Sequence, residues 1–299
     1  SPFTIYLNGT PTGWSNGGSY SWDIITAASQ TGFTSGNFSL NFNNFGIASG
    51  DRTGLWALTN PSGGTITLSY TASNQSTWSG TTGNWSSGFS PALVTDVSTA
   101  YTGAGGTATN DISSGTLSSI AGITFDAAAG AYTLAANAGS AGASGGTALT
   151  VKGDITNNSA NAQTINMAMA FGGSSTGVIN ATSGNITISG AISGTGSLSK
   201  AGNSTLTLSG ANTYSGATTI SAGTLTLNGG SAISDTGAVS VSSGGVLNLG
   251  ASETVGSIAG AGNIALGSYT LTSGGSNSST TVSGIISGAG GMTKNGTGT

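Results

Sequence analysis

Thr205-Leu-Thr-Leu-Ser209 and Thr224-Leu-Thr-Leu-Asn228 are near-copies of one another, starting 19 residues apart. In each, Thr and Leu alternate with period two, so an extended backbone sends every Leu to one face and every Thr to the other. Asn185-Ile-Thr-Ile-Ser189 and Thr65-Ile-Thr-Leu-Ser69 follow the same rule. Gly-rich punctuation separates such segments, as in Ser193-Gly-Thr-Gly196, Asn228-Gly-Gly230 and Ser243-Gly-Gly245. No stretch carries a sustained 3.6-residue apolar period. The chain is expected to be all-β.

The spacing predicts how the strands are arranged. Leu206, Leu225 and Val246 open similar strands at intervals of 19 and 21 residues. A coil of that size cannot enclose its own apolar face, and stacking coils solves the problem. The predicted architecture is a right-handed parallel β-helix, a solenoid. At ~4.8 Å between parallel strands, ten coils would form a rod of about 50 Å. Outward Thr, Ser and Asn on successive coils are placed to form ladders along it. A longer repeat agrees: Ser189-Gly-Ala-Ile-Ser-Gly-Thr-Gly-Ser-Leu-Ser-Lys200 returns 94 residues later as Ser283-Gly-Ile-Ile-Ser-Gly-Ala-Gly-Gly-Met-Thr-Lys294. The recurring Lys200 and Lys294 suggest a structural role, such as covering a turn. A strand, Leu206-Thr-Leu208, follows the first copy, whereas only Asn295-Gly-Thr-Gly-Thr299 follows the second. The solenoid is therefore expected to continue beyond residue 299 in a longer parent chain.

Two sections are distinguished. Trp14, Trp22, Trp56, Trp78 and Trp85 all precede residue 86, and Phe33, Phe38, Phe42 and Phe45 lie among them. Residues 1–76 are expected to be an aromatic-rich β section, either the end of a preceding module or a cap. Residues 77–299 are expected to be the β-helix. Within it, the low-complexity run 137–147 is expected to loop away from the rod.

Composition excludes several functions. Charged residues make up 4% of the 299, where an ordinary soluble domain has roughly 25%. The net charge is −4 with four cations in all, too few to track a phosphate backbone or hold an anionic membrane. With no His and no Cys there is no catalytic triad, imidazole or thiolate ligand, or disulfide. The hydrophobic fraction of 36%, set in alternating runs, argues against a disordered chain. No apolar run reaches the ~18 residues of a membrane span, and no cofactor or metal is implied.

Candidate sites are sparse. Asp23, Asp51, Asp96, Asp111, Asp126, Asp154, Asp235 and Glu253 are scattered, and the nearest in sequence are 15 apart. Stacking of coils leaves a carboxylate pair open, but isolated turn acids are favoured. Asp51-Arg52 fits a local ion pair. The Thr pairs 65/67, 205/207, 224/226 and 270/272 present outward hydroxyls, as in β-helical ice-binding proteins, yet irregular coil lengths argue against a lattice match. The five Trp are candidates for stacking sugars, with packing in a core or cap as the competing role.

Leu206-Thr-Leu-Ser-Gly-Ala-Asn-Thr-Tyr-Ser-Gly-Ala-Thr-Thr-Ile-Ser-Ala-Gly-Thr-Leu-Thr-Leu227 closely resembles the autotransporter-associated β-strand repeat of bacterial passengers and large exported proteins. Gly190–Leu208 resembles the run that introduces this repeat, and Trp78-Ser-Gly-Thr-Thr-Gly-Asn-Trp85 resembles a Trp-rich module opening. The resemblance covers roughly 77–299. It implies a parallel β-helix, export, and an extracellular, bacterial cell-surface role as a stalk or fibre, adhesin-like or filament-forming. It supplies no catalytic residues. Expected partners are the protein itself, end to end or laterally, other surface proteins, or glycans. Nucleic acid is not among them, nor is a membrane span in this segment. The alternatives are a glycan-binding adhesin using the N-terminal aromatics and, third, a polysaccharide-degrading β-helix enzyme.

Overall fold

The computed structural model describes the strands Phe3–Gly9, Tyr20–Thr26, Phe38–Phe45, Leu55–Thr59 and Thr65–Thr71, and residues 75–299 apart from 91, 94 and 173–175. The chain forms two compact units, Ser1–Ser76 and Thr77–Thr299. In the first, Phe3–Gly9 pairs in parallel with Phe38–Phe45. Thr65–Thr71 lies between Tyr20–Thr26 and Leu55–Thr59, antiparallel to both. Its Thr-x-Thr pattern matches that of the solenoid strands, yet its neighbours run the other way. Alternation fixes the two faces of a strand and leaves the direction of its neighbours to the connections.

The second unit is a β-solenoid of about ten turns, with ten strands on each of two faces. The first face runs from Gly83–Asn84 to Ile286–Ser287, and the second from Phe89–Ser90, next to Gln75–Trp78, to Ser257–Gly260. A third side carries strands in two blocks. The first block is Ser119–Ile120, Leu149–Val151, Met169–Phe171 and Ile192–Gly194; the second is Glu253–Val255, Thr270–Ser273 and Gly291–Lys294. The pairs in these sheets are parallel, apart from Thr77–Trp78 with Phe89–Ser90 at the start of the second face. Among the described residues the one helix is the single turn Trp85–Gly88.

Register confirms the repeat. Thr205, Leu206, Thr207 and Leu208 sit directly against Thr224, Leu225, Thr226 and Leu227. Ala108, Leu134, Ile165, Ile188, Leu208, Leu227 and Leu249 follow one another up the interior, all buried. Each such Leu or Ile contributes roughly 1.5–3 kcal/mol by leaving water. One interval differs from expectation: the partner of Leu225 is Leu247, 22 residues on, while Val246 pairs with Thr224. Val246 therefore falls in the outward column, and the coil is one residue longer than the leucine-to-valine spacing implies. The 94-residue repeat is also not a whole number of coils. Lys200 lies on the second face between Ile179 and Ile220, whereas Lys294 pairs with Ser273 on the third side.

The run 137–147 does not leave the rod. Ala141 N donates to Ile112 O at 3.1 Å, Ala168 N donates to Gly142 O at 2.8 Å, and Ser113 bridges Ser140. Residues 140–143 are buried against the rod, and 137–139 and 144–147 on either side are exposed. Small side chains let this segment lie flat against its neighbours, where low complexity suggested a free loop. A related close approach fixes Gly194, whose φ is 102° and whose missing Cβ would stand 2.2 Å from Phe171 O.

The start of the solenoid has an aromatic core. Phe89 meets Trp78, Trp85 and Tyr101 edge-on at 5.4, 5.6 and 5.7 Å, and Tyr101 stacks on Phe125 at 5.1 Å. Thr77–Trp78 pairs antiparallel with Phe89–Ser90, so the second face begins with a reversed strand that does not present an open parallel edge. Beyond Tyr132 the interior becomes predominantly aliphatic.

Candidate functional site

The few ionisable groups of the described residues are the natural places to look for chemistry. Lys200 occupies an inward position in the column Ile179, Lys200, Ile220, Val241 and is fully buried. Its Nζ donates to three carbonyl oxygens, Ala201 at 2.8 Å, Gly202 at 2.7 Å and Ala222 at 3.1 Å. The ammonium is thus held by backbone dipoles at the turn between the second and first faces. Burial pulls its pKa down from 10.5 to about 8. Lys294 makes the same local contacts, to Asn295 O at 2.6 Å and Gly296 O at 3.2 Å, in an exposed setting. Covering a turn, expected for both lysines, is what their amines do; the complete burial of Lys200 was not anticipated.

Glu253 is likewise a structural group. It is 2% exposed, and its two carboxylate oxygens accept from Ala232 N and Ile233 N, each at 3.1 Å. Burial pushes its pKa up against the pull of those two bonds, and the charge of Asp235 adds to the push. Asn212 works with it. Its Oδ1 accepts from Ile192 N at 2.7 Å and its Nδ2 donates to Ala232 O at 2.8 Å. Between Gly194 and Glu253 the third side has no strand, and these side chains add to a few backbone bonds between coils, such as Thr213 N to Ile192 O at 2.8 Å and Asn212 N to Ser231 O at 2.9 Å. Asn110, Asn157 and Gln163 act similarly earlier in the rod: each is buried, with its amide bonded to backbone.

Of the remaining described acids, Asp96 and Asp111 tie neighbouring coils. Asp96 accepts from Lys152 Nζ at 2.8 Å and from Ser119 Oγ at 2.5 Å, and these partners, Lys152 first, hold its carboxyl below the usual range. Asp111 accepts from Ser86 N and Oγ at 2.8 and 2.5 Å. Asp126 is half-buried, and Asp154 and Asp235 are exposed. Asp235 borders a shallow trough on the third side with Ala211, Asn212, Thr213, Ser231, Ile233 and Ser234. Among the described residues no three His, Cys, Asp or Glu gather as a metal site would require. Asp23 and the pair Asp51-Arg52 have side chains outside the described residues.

The tryptophans divide. Trp78 and Trp85 are 2% and 1% exposed, with their rings against Phe89, so neither offers a face to a sugar. Trp14 lies outside the described residues, as do the side chains of Trp22 and Trp56. The buried amides and Glu253 are what sequence reasoning missed. Period two was the available signal: Glu253-Thr-Val255 and Leu198-Ser-Lys200 each place a charged residue in phase with an inward apolar one.

No helix among the described residues is long and apolar enough to cross a membrane. Residues 198–227 match the family described as passenger-associated-transport-repeat. The matched stretch is about one and a half coils. It runs from the strand holding Lys200, past Asn212, to the end of the second Thr-Leu-Thr-Leu strand, where the coil is closed by side chains on its third side. No curated protein and no solved structure matches the chain. On the repeat and the solenoid together, the chain carries one passenger-associated-transport-repeat, at 198–227, within a β-solenoid, and is similar to autotransporter passenger-like repeat proteins.

Proposed function

We propose that this chain is a non-catalytic stalk of an exported surface protein, a stiff spacer whose outside is hydroxyl and amide. One observation carries this: among the described residues, six of the nine acidic and basic side chains are engaged in holding coils and turns. Lys200 sits in a ring of carbonyls, Glu253 on two backbone N–H groups, Asp96 on Ser119 and Lys152, and Asp111 on Ser86. A hydrolase or lyase acting on a polysaccharide needs carboxylates or a base facing a groove and free to move a proton. The family match on 198–227 supports the export and surface parts of the reading.

Two measurements test it. Antibody to the purified chain is expected to label intact, unpermeabilised cells of the source organism, and external protease is expected to remove the label. Labelling only after permeabilisation would defeat the surface reading. The purified chain, incubated with a panel of polysaccharides, is expected to release no new reducing ends or unsaturated products. Product formation abolished by Glu253→Gln or Asp235→Asn would defeat the non-catalytic reading.

A further inference from the structure

The first face carries one long outward column of nearly identical side chains. Thr107, Thr133, Thr164, Thr187, Thr207, Thr226 and Asn248 pair successively in register, and Ala265 and Ser287 continue the line. Each of the seven is half-buried among its neighbours. None of the ten strands of this face contains a charged residue. The charges lie elsewhere, in turns such as Asp96 and Lys152 or inside the rod.

We infer that this face is a lateral docking surface for a second copy of the same chain. Three physical points favour that occupant. A hydroxyl both donates and accepts, so a threonine column can bond to an identical column in either direction. The column repeats at the strand spacing of ~4.8 Å, and another stack of parallel strands has that same repeat along its whole length. A face without charge brings no like charges together and buries no unpaired ion when two copies meet.

Size sets the strength. Nine strands at ~4.8 Å and a width of roughly 12 Å give about 450 Å² per copy, near 900 Å² in total, at the small end of specific interfaces. The pairing is therefore weak and depends on concentration, and it gains strength only where many copies are held side by side on one surface. The inference does not depend on export: the purified 299-residue chain is sufficient to test it.

Sedimentation of that chain over a wide concentration range is expected to show the average mass rising toward twice the monomer. Thr164→Lys, Thr187→Lys and Thr207→Lys in one chain place three cations along the column, and this variant is expected to stay monomeric while keeping its β circular dichroism. Thr156→Lys, Ser199→Lys and Thr219→Lys put the same charge on the second face and are expected to pair like the parent. Because the chain has no cysteine, Thr187→Cys and Thr219→Cys provide a second readout that does not depend on added charge. The first is expected to form intermolecular disulfides at least tenfold faster than the second. A chain monomeric at every concentration would overturn the inference. So would equal loss of pairing in both triple variants, or equal cross-linking at the two cysteines. Association that survives the first-face lysines but is lost on Ile286→Lys would also overturn it, by placing the contact at the exposed Ile285 and Ile286 coil.

Discussion

The ammonium of Lys200 lies 3.1 Å from the carbonyl oxygen of Ala222, which belongs to the next coil. Its other two acceptors, Ala201 and Gly202, are in its own turn. One side chain therefore joins two coils at the corner between two sheets, from inside an aliphatic column. Two parts of that side chain act separately: the stem fills space between Ile179 and Ile220, and the head bonds the corner.

Lys200→Ala removes both parts and is expected to destabilise the chain by about 2–5 kcal/mol, as large-to-small core changes do. Lys200→Met keeps the stem's volume and removes a buried charge, so it is expected to cost less than half as much. Urea titrations followed by circular dichroism check the order. Equal losses in the two variants would mean that the head alone matters.

The same lysine predicts a pH dependence. Its pKa is about 8 when folded and 10.5 when free. Between those values the unfolded chain carries a proton that the folded chain lacks, so stability rises with pH across that window, by up to about 3 kcal/mol. Buried tyrosines act in the opposite sense. Burial raises Tyr101 and pushes Tyr214 up to about 12, against a usual 10. Above pH 10 the unfolded chain loses tyrosine protons that the folded chain keeps, and stability falls. The melting temperature is expected to peak near pH 10, and in Lys200→Met the rising limb should vanish.

Glu253 predicts an acid-side trend. Its carboxyl is raised above the usual 4.5 by burial. Just above that pH the folded chain holds a proton that the unfolded chain has released, so this contribution is complete below pH 4.5 and declines as pH rises through it. Glu253→Gln is expected to flatten that decline. It also turns an amide N–H₂ toward Ala232 N or Ile233 N, at a cost of about 1–3 kcal/mol at neutral pH. Melting curves from pH 3 to 7 for the two chains check both effects.

Asn212→Ala leaves Ile192 N and Ala232 O without their side-chain partner and is expected to cost about 1–3 kcal/mol. Asn212→Asp can still accept from Ile192 N but cannot donate to Ala232 O. It is expected to lose at least as much. Amide exchange should quicken at Ile192 ahead of the first-face strands. Uniform quickening across the rod would contradict a local role.

Much of the solenoid was legible in sequence because period two and coil spacing are direct consequences of the backbone. Thr205–Leu208 and Thr224–Leu227 are neighbours in space as they are twins in sequence. The one-residue error at Val246 arose because a β-branched apolar residue is as content on the outward face as inside. The flat lie of 137–147 was not legible, since small residues carry no signature that separates a free loop from a close-packed one. Nor were the roles of Asn110, Asn157, Gln163 and Asn212. A buried amide is recognised by what it bonds to, and those partners lie 20 or more residues away in most of these bonds.

Closing the middle coils with side chains on the third side has a consequence for how such a rod tolerates change. First-face partners there are 20, 19, 22 and 17 residues apart, from Thr187 through Thr207, Thr226 and Asn248 to Ala265, while the first face keeps unbroken register. The excess is absorbed where no ladder has to be continued. That flank is the permissive seam of the molecule: extra residues grafted at the exposed tip between Asp235 and Thr236 would hang outside two intact walls, letting the sequence diversify without the rod losing its line.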